Sequence, residues 1–362
     1  MNAVNPRLTT EVPLPQFTEE VRQGRQITWY RSPLPPGAAK RLHVRSDWLG
    51  ARQALGHLGI MLATGALAIW SANHWAWWAT GLLIFLHGMV ASFMVNAVHE
   101  LLHGTVFATK RWNGFFCAVF SFLGWINPEM FQASHVRHHR YTLHPPDDLE
   151  VVLPGRLVLA DFFRCAVFNY RWLWESAKIH TRIARGIFCG EWELTLYPEN
   201  EPERRRPAVR WSRALWLGHG IVALIGVVTG QWILPVVISL APFIGNGLFW
   251  LCNNTQHIGL TDEVADFRLC CRTFTLNPAV RFLYWQMNYH IEHHMFAAVP
   301  CYRLTELHRL IRDDLPPTPH GLVAVWREIG AIMVKQQADP GYQHLPALPV
   351  AGATRDTAGA RA

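Results

Sequence analysis

Residues 75–103 read WAWWATGLLIFLHGMVASFMVNAVHELLH. From Trp75 to Val98 there is no Lys, Arg, Asp or Glu, and His99-Glu100-Leu101-Leu102-His103 follows at once. About 20 apolar residues in helical form cross the hydrocarbon core of a bilayer. His99 and His103 stand at i and i+4, on one face of that same helix. The stretch therefore predicts a membrane span whose end carries two imidazoles side by side. Imidazole is a frequent ligand of iron, zinc and copper. The rest of the chain either supplies further ligands on the same side of the membrane or it does not.

Working outward, residues 54–98 lack every Lys, Arg, Asp and Glu, and so do residues 214–256. Each block has a short polar interruption, Ser71-Ala72-Asn73-His74 in the first and Gly230-Gln231 in the second. The pattern predicts an all-α, integral membrane protein. It has two transmembrane helical hairpins, with four spans at about 54–72, 75–98, 213–229 and 232–252. A shorter apolar run at 115–126 suits a re-entrant or interfacial helix, and residues 157–188 suit an amphipathic helix on the membrane surface. Residues 199–213, with Arg204-Arg205-Arg206, read as a charged loop. The expected organisation is an N-terminal cytoplasmic segment 1–53, a membrane domain 54–325 and a C-terminal segment 326–362 ending in a disordered tail. The polar start of the chain shows no signal peptide.

The chain has 362 residues, half of them hydrophobic, with 17 Trp and 19 Phe. Aromatic enrichment of this kind fits interfacial belts. The net charge of +7 resides in residues 1–53, 99–213 and 257–362, and neither hairpin turn carries any Lys or Arg. By the positive-inside rule these three blocks are cytoplasmic. The charge is thus a topology signal and a membrane-surface footprint that also suits an acidic redox partner, and nucleic-acid binding is not expected. The seven cysteines are odd in number and form no CxxC pair, as expected of free thiols.

The 19 histidines sort by topology. His99 and His103 leave the second span. His135, His138 and His139 lie in the middle block at i, i+3 and i+4. His257 follows the fourth apolar run, and His290, His293 and His294 repeat the i, i+3, i+4 pattern in the last block. All nine fall on one side of the membrane, too many for one ion and enough for two. Candidates to accept the second ring N–H of a ligating histidine are Glu100, Asp147, Asp148, Asp262, Asp266 and Glu292. His144 is a further candidate for a supporting role. His57, His74, His87 and His219 read as packing or polar contacts, and His180, His308, His320 and His344 as surface residues.

His99-Glu100-x-x-His103 alone is also the zinc-protease motif. An intramembrane zinc protease needs an acidic ligand from a later span, and these apolar runs hold none. A non-enzymatic lipid- or metal-binding membrane protein is a third class.

The HxxxH, HxxHH and HxxHH groups after paired spans resemble the three histidine boxes of the integral-membrane fatty acid desaturase family, over roughly residues 50–325. The resemblance implies a cytoplasmic helical cap holding two iron ions (Fe2+/Fe3+). It implies as ligands His99, His103, His135, His138, His139, His290, His293 and His294, with His257 by position. A water-linked Asn, here Asn253, belongs to the same pattern. It implies O2 as co-substrate and desaturation of a fatty acyl chain, with Trp78, Phe85, Phe93, Phe249 and Trp250 as candidates to line a substrate tunnel. The family also includes hydroxylases and desaturases of small secondary metabolites, of the rhizobitoxine type. No His-Pro-Gly-Gly haem motif is present, so electrons are expected from a separate ferredoxin or cytochrome b5 type carrier with its reductase. The Ala- and Arg-rich composition points to a bacterial inner membrane.

Overall fold

A computed structural model describes residues 26–153, 157 and 159–349. The expectations of a leaderless start and a disordered tail concern residues outside that set. Among the described residues the chain is helical, with isolated bridges and no strand.

Ser46 caps α1 (Asp47–His74) through its Oγ, which accepts from the Leu49 N–H, and Asp47 sits favourably in the first turn. At 28 residues the helix is about 42 Å long, more than a bilayer core requires. It folds back onto α2 (Trp77–Ala91), which continues past Ser92 and Phe93 into α3 (Met94–Leu102). Together α2 and α3 make a 26-residue span, Trp77–Leu102. Polar side chains between α1 and α2 are paired with each other or with backbone. Ser71 Oγ donates to Thr80 Oγ1 at 3.1 Å, His87 Nδ1 meets Thr64 Oγ1 at 2.8 Å, and His57 Nε2 meets the Val90 carbonyl at 3.1 Å. These buried groups pack and bond as the sequence suggests.

The run at 115–126 belongs to α4 (Lys110–Leu123), which meets α5 (Pro128–Tyr141) at a bend of 109°. Asn127 caps α5 by accepting from the Met130 N–H, and Pro128 occupies its first turn. Neither half is long enough for a straight span. The surface stretch forms α6 (Leu159–Ala166) and α7 (Tyr170–Ala184), with Phe163, Tyr170 and Trp174 exposed.

Two expectations fail here. Residues 202–213 are not a charged loop. They are the first turns of α8 (Pro202–Val228), started by Pro202 at a position where a missing N–H costs nothing. Only 22% of the apolar window of α8 is buried, and Leu217, Ile221, Leu224 and Val228 point away from the protein. Such a surface calls for lipid.

The fourth apolar stretch, 232–252, is not one continuous helix. It divides into Ile233–Pro235, a π-helical Val236–Leu240, a 3-10 turn Ala241–Phe243 and α9 (Gly247–Asn253). Pro235 and Pro242 remove helix donors, and Gly245 adopts a left-handed φ of 66°. The freed carbonyls are satisfied by side chains, as apolar surroundings demand. Trp125 Nε1 donates to the Ser239 carbonyl at 2.8 Å, His87 Nε2 reaches that of Val237 at 2.8 Å, and Asn246 Nδ2 donates to that of Pro242 at 2.9 Å. Among the described residues three helices are thus long and apolar enough to cross a membrane, or four crossings if the bent pair α4–α5 counts as one, and the run 232–252 is broken.

The break depends on close approach. A Cβ on Gly88 of α2 would stand 2.6 Å from the Ile244 carbonyl oxygen and Cβ, whereas nothing lies within 4 Å of one on Gly81. Gly88→Ala is expected to cost about 1–3 kcal/mol, because backbone cannot yield as a side-chain tip does. Gly81→Ala should be near neutral. Thermal unfolding in detergent reads the difference.

The core lies beneath these helices. Trp285, Tyr284 and Phe93 are fully buried in it, and Phe93 and Phe249 meet edge-on at 5.8 Å. Of the other tunnel candidates, Trp78 is exposed, and Trp250 stacks on Trp326 at 5.2 Å. Helix Gly321–Ala338 closes the core through Val325 and Ile329.

Candidate metal centre

The i, i+3, i+4 pattern divides its members between two places. His99 and His103 from the end of α3, His135 and His139 from α5, and His293 from α10 (His290–Met295) form one group. His138, His257, His290 and His294 form the other. On α5 the i, i+4 pair 135/139 serves the first group and His138 the second. On α10 the pair 290/294 serves the second group and His293 the first. Adjacent residues on a helix point about 100° apart, so each His-His pair feeds both groups. All nine histidines singled out from the sequence are therefore brought together, but as five and four rather than on one shared face.

Within each group the ligand atoms lie within 4.8 Å of one another. The shortest contacts are between Nε2 atoms. His257 and His290 are 3.0 Å apart, His290 and His294 3.1 Å, His139 and His293 3.1 Å, and His103 and His135 3.3 Å. A metal bonded to nitrogen at about 2.1 Å places adjacent donors about 3.0–3.4 Å apart, depending on its geometry.

The outer nitrogens show which of these imidazoles turn a lone pair inward. His257 Nδ1 faces the Cys270 carbonyl at 2.8 Å, an acceptor only, so Nδ1 carries the proton and Nε2 presents a lone pair. His138 Nδ1 faces Asp148 at 2.8 Å, His135 Nδ1 faces Glu150 at 3.0 Å, and His99 Nδ1 faces Glu100 at 3.1 Å. Lone pairs turned inward from several imidazoles suit a cation held between them. The donor set therefore fits one metal ion per group.

Burial, reinforced by the neighbouring imidazoles, pushes His257 down to about 3 and His290, His293 and His294 well below the ordinary imidazole value. They are neutral, as ligands must be. Burial pushes the Asp148 carboxyl up, but the His138 imidazole and the N–H groups of Leu143 and Glu150 outweigh it, and its pKa falls below the usual value.

The metal-free protein should accordingly be acid-sensitive. An unfolded histidine takes its proton near pH 6.5, and folded His257 only near 3. Between those values the unfolded chain binds more protons. Stability is complete above about pH 6.5 and falls as the pH drops toward 3. The melting temperature of iron-depleted protein should decline from pH 7.5 to pH 5. A flat profile would contradict neutral buried imidazoles.

Of the proposed outer partners, Glu100 and Asp148 reach histidines of the two groups. Asp147 instead pairs with Arg137 at 3.3 Å, Asp262 with Gln343 at 2.7 Å and Asp266 with Arg268 at 2.8 Å. Glu292 accepts from Thr273 Oγ1 and from His308. His308 is thus no free surface residue, and neither is His180, which is 3% exposed and bonded to Ser212 and to the Trp125 carbonyl. His144 faces the carbonyls of Tyr141 and Thr142. Glu150 was not legible as a partner, because the turn at 142–149 brings it back onto His135. The acidic cluster Asp147-Asp148-x-Glu150 just beyond the second box was the available signal. Asn253 lines a cavity together with His99, His135, His138, His257 and His290.

The fold and the site define a helical membrane protein with two histidine groups suited to metal ions. The chain matches the fatty acid desaturase family model over residues 74–326, and it belongs to that family. It is 26% identical over 277 residues to a sphingolipid delta(4)-desaturase/C4-monooxygenase of Homo sapiens, covering 74% of this chain and 77% of the relative. It is 22% identical over 299 residues to a sphingolipid delta(4)-desaturase of Drosophila melanogaster, covering 78% and 84%. With a Mus musculus sphingolipid delta(4)-desaturase/C4-monooxygenase it shares 23% over 290 residues, covering 73% and 76%. The protein is an oxidoreductase of lipid metabolism. Family membership leaves the zinc-protease reading without support.

Proposed function

We propose that this protein uses two iron ions, O2 and electrons from a separate ferredoxin or cytochrome b5 type carrier to introduce a double bond into the acyl chain of a lipid. The observation that carries the reading is the pair of buried imidazole groups, with Nε2 atoms 3.0–3.3 Å apart, at the end of an apolar span. We place the membrane domain at 54–325, between segments 1–53 and 326–362. The broken run 232–252 is its fourth crossing, and the histidine-bearing cap faces the cytoplasm of a bacterial inner membrane, as the Lys and Arg distribution supports.

His99, His103, His135, His139 and His293 would hold one iron, and His138, His257, His290 and His294 the other. Asn253 would act on the second through water. Bound there, the two irons supply the activation of dioxygen needed to break an unactivated C–H bond. The protein's own part is positional. Glu100, Asp148, Glu150 and the Cys270 carbonyl keep the Nδ1 protons outward and the lone pairs inward. Val95, Phe131 and Val151 are the apolar side chains lining the cavity beside the imidazoles, and they would face one carbon pair of the lipid chain.

Hydroxylation at the same carbon is the second reading. Two of the relatives are named as desaturase/monooxygenases, and the removal of a first hydrogen is common to both outcomes, with a second removed from the neighbouring carbon in desaturation and oxygen added in hydroxylation. The test is metal analysis of the purified protein together with mass spectrometry of lipids and small metabolites from an expressing host. The expected result is about two irons per chain and lipids lighter by two hydrogens. An added oxygen supports hydroxylation. One zinc per chain, or an unchanged lipid profile beside a changed small metabolite, overturns the acyl-lipid reading.

A further inference from the structure

A second cavity, of about 450 Å3, opens beside the two histidine groups. Its inner wall carries His139 and His294, one imidazole from each group, and its mouth carries Arg31 and His43, both exposed. The mouth belongs to the segment 29–45, which precedes both α1 and the stretch matched by the family model. The segment is firmly seated. Trp29 Nε1 donates to the Arg140 carbonyl at 3.0 Å, the Tyr30 N–H to the Ala265 carbonyl at 2.9 Å, and Ser32 Oγ to Asp314 at 2.6 Å. Trp29 lies flat on Phe267, with ring centroids 4.1 Å apart, and Phe267 meets the His294 ring at 5.4 Å. Ring contacts thus run without a gap from the half-buried Trp29 to the four-histidine group.

The charge at this mouth is one-sided. No Asp or Glu lines the cavity. The carboxylates bonded to the segment are already matched, Asp314 by Arg268 at 2.9 Å and Glu306 by Arg41 at 2.8 Å. Arg31, Arg140 and Lys40 of the short helix Ala38–Leu42 are exposed, and among the described residues none of the three is in an ion pair. Arg31 instead lies over the Phe296 ring at 5.8 Å. The three come from separate elements and share no partner, which suits an extended acidic face better than one small anion. Trp and Arg are also the side chains that anchor protein interfaces most strongly.

We infer that this mouth is the docking face of the electron carrier, a small acidic protein whose redox centre comes to rest against Trp29 within the frame of Arg31, Lys40 and Arg140. This rests on the di-iron reading of the two groups. The carrier loses one electron at each docking and is oxidised, and the electron passes to an ion held by the histidines. Two dockings supply the pair that the reaction takes up with O2. Unmatched charge of this kind speeds encounter with a partner of opposite sign, and salt screens it.

The test uses the iron-loaded full chain in detergent with two acidic carriers, a [2Fe–2S] ferredoxin and the soluble haem domain of a cytochrome b5. Affinity is read from the fluorescence anisotropy of the dye-labelled carrier at rising salt. Product is read by mass spectrometry, with electrons from the carrier and its reductase, or in a single turnover after reduction by dithionite, which needs no docking. The wild type should bind at least one carrier, more weakly as salt rises. Arg31→Glu with Lys40→Glu should weaken that binding at least about tenfold and flatten its salt dependence. Arg31→Gln with Lys40→Gln, a milder change, should weaken it less. Arg206→Glu, at an exposed position of α8 outside this face, should leave it unchanged. Product after dithionite should survive in all three variants. Undiminished carrier affinity in both double variants, or an equal loss in Arg206→Glu, overturns the inference. So does a loss of affinity for a long-chain carboxylate in place of the carrier, which would make the mouth a seat for a substrate's head. Salt-dependent docking without product from either electron source counts against the desaturase reading and for the docking face. Product after dithionite with neither carrier bound does the reverse.

Discussion

His293→Ala is expected to leave no detectable product and to lower iron from about two to about one per chain, in a protein that still folds. His293 is fully buried, its Nε2 lies 3.1 Å from that of His139, and its ring centroid is 4.6 Å from that of His99. It is the one member that α10 gives to the five-histidine group, so no other residue of that helix can replace it. Loss of an outer partner of a metal ligand already costs about 10–100-fold in affinity or activity, and loss of the ligand itself should exceed that. Folding should survive because the change removes one ring from a polar cluster and none from the apolar core. The neighbouring core, with Trp285 and Tyr284, is untouched. Iron analysis, lipid mass spectrometry and thermal unfolding report on the three parts separately. His74→Ala, at an exposed ring stacked on Trp70, is the control and should change none of them. Continued product formation by the His293 variant would exclude a non-redundant iron site there.

The three long apolar helices were legible because charge is forbidden in hydrocarbon. Residues 54–98 and 214–256 announce themselves by what they lack. The nine histidines that gather in the two groups were legible because they recur at helical spacing in three short clusters, with His257 directly after an apolar run. What could not be read is how the elements cross. Spacing places His138 and His139 on neighbouring parts of α5, but only the position of α10 against α5 assigns them to different groups. The break after Trp232 did have a local signal in Pro235, Pro242 and Gly245, overridden by the apolar composition around them. Its consequence is tertiary, since His87 and Trp125 arrive from distant helices to satisfy the freed carbonyls. His180 and His308 looked like surface residues because polar sequence neighbours say nothing about a helix that packs over them.

The same turn that hid Glu150 makes Asp148 the outer partner whose loss should cost most. Asp148 is fully buried, and both its oxygens are occupied. Oδ2 accepts from His138 Nδ1 and from the Leu143 N–H, each at 2.8 Å, and Oδ1 from the Glu150 N–H at 2.9 Å. In Asp148→Asn the new NH2 must face at least one of these donors. A donor left unpaired in the interior costs about 1–3 kcal/mol. His138 also loses the charge that fixes its Nδ1 proton. Iron affinity at the four-histidine group should then fall about 10–100-fold, with activity following it. Glu150→Gln is the informative contrast. The Glu150 side chain is partly exposed, and a glutamine oxygen can still accept from His135 Nδ1 while its NH2 bonds Ser134 Oγ. That variant should lose less than tenfold. Iron titration of both variants against the wild type separates the cases. Equal losses, or none for Asp148→Asn, would mean that the turn at 142–149 shapes the fold without tuning the His138 ring.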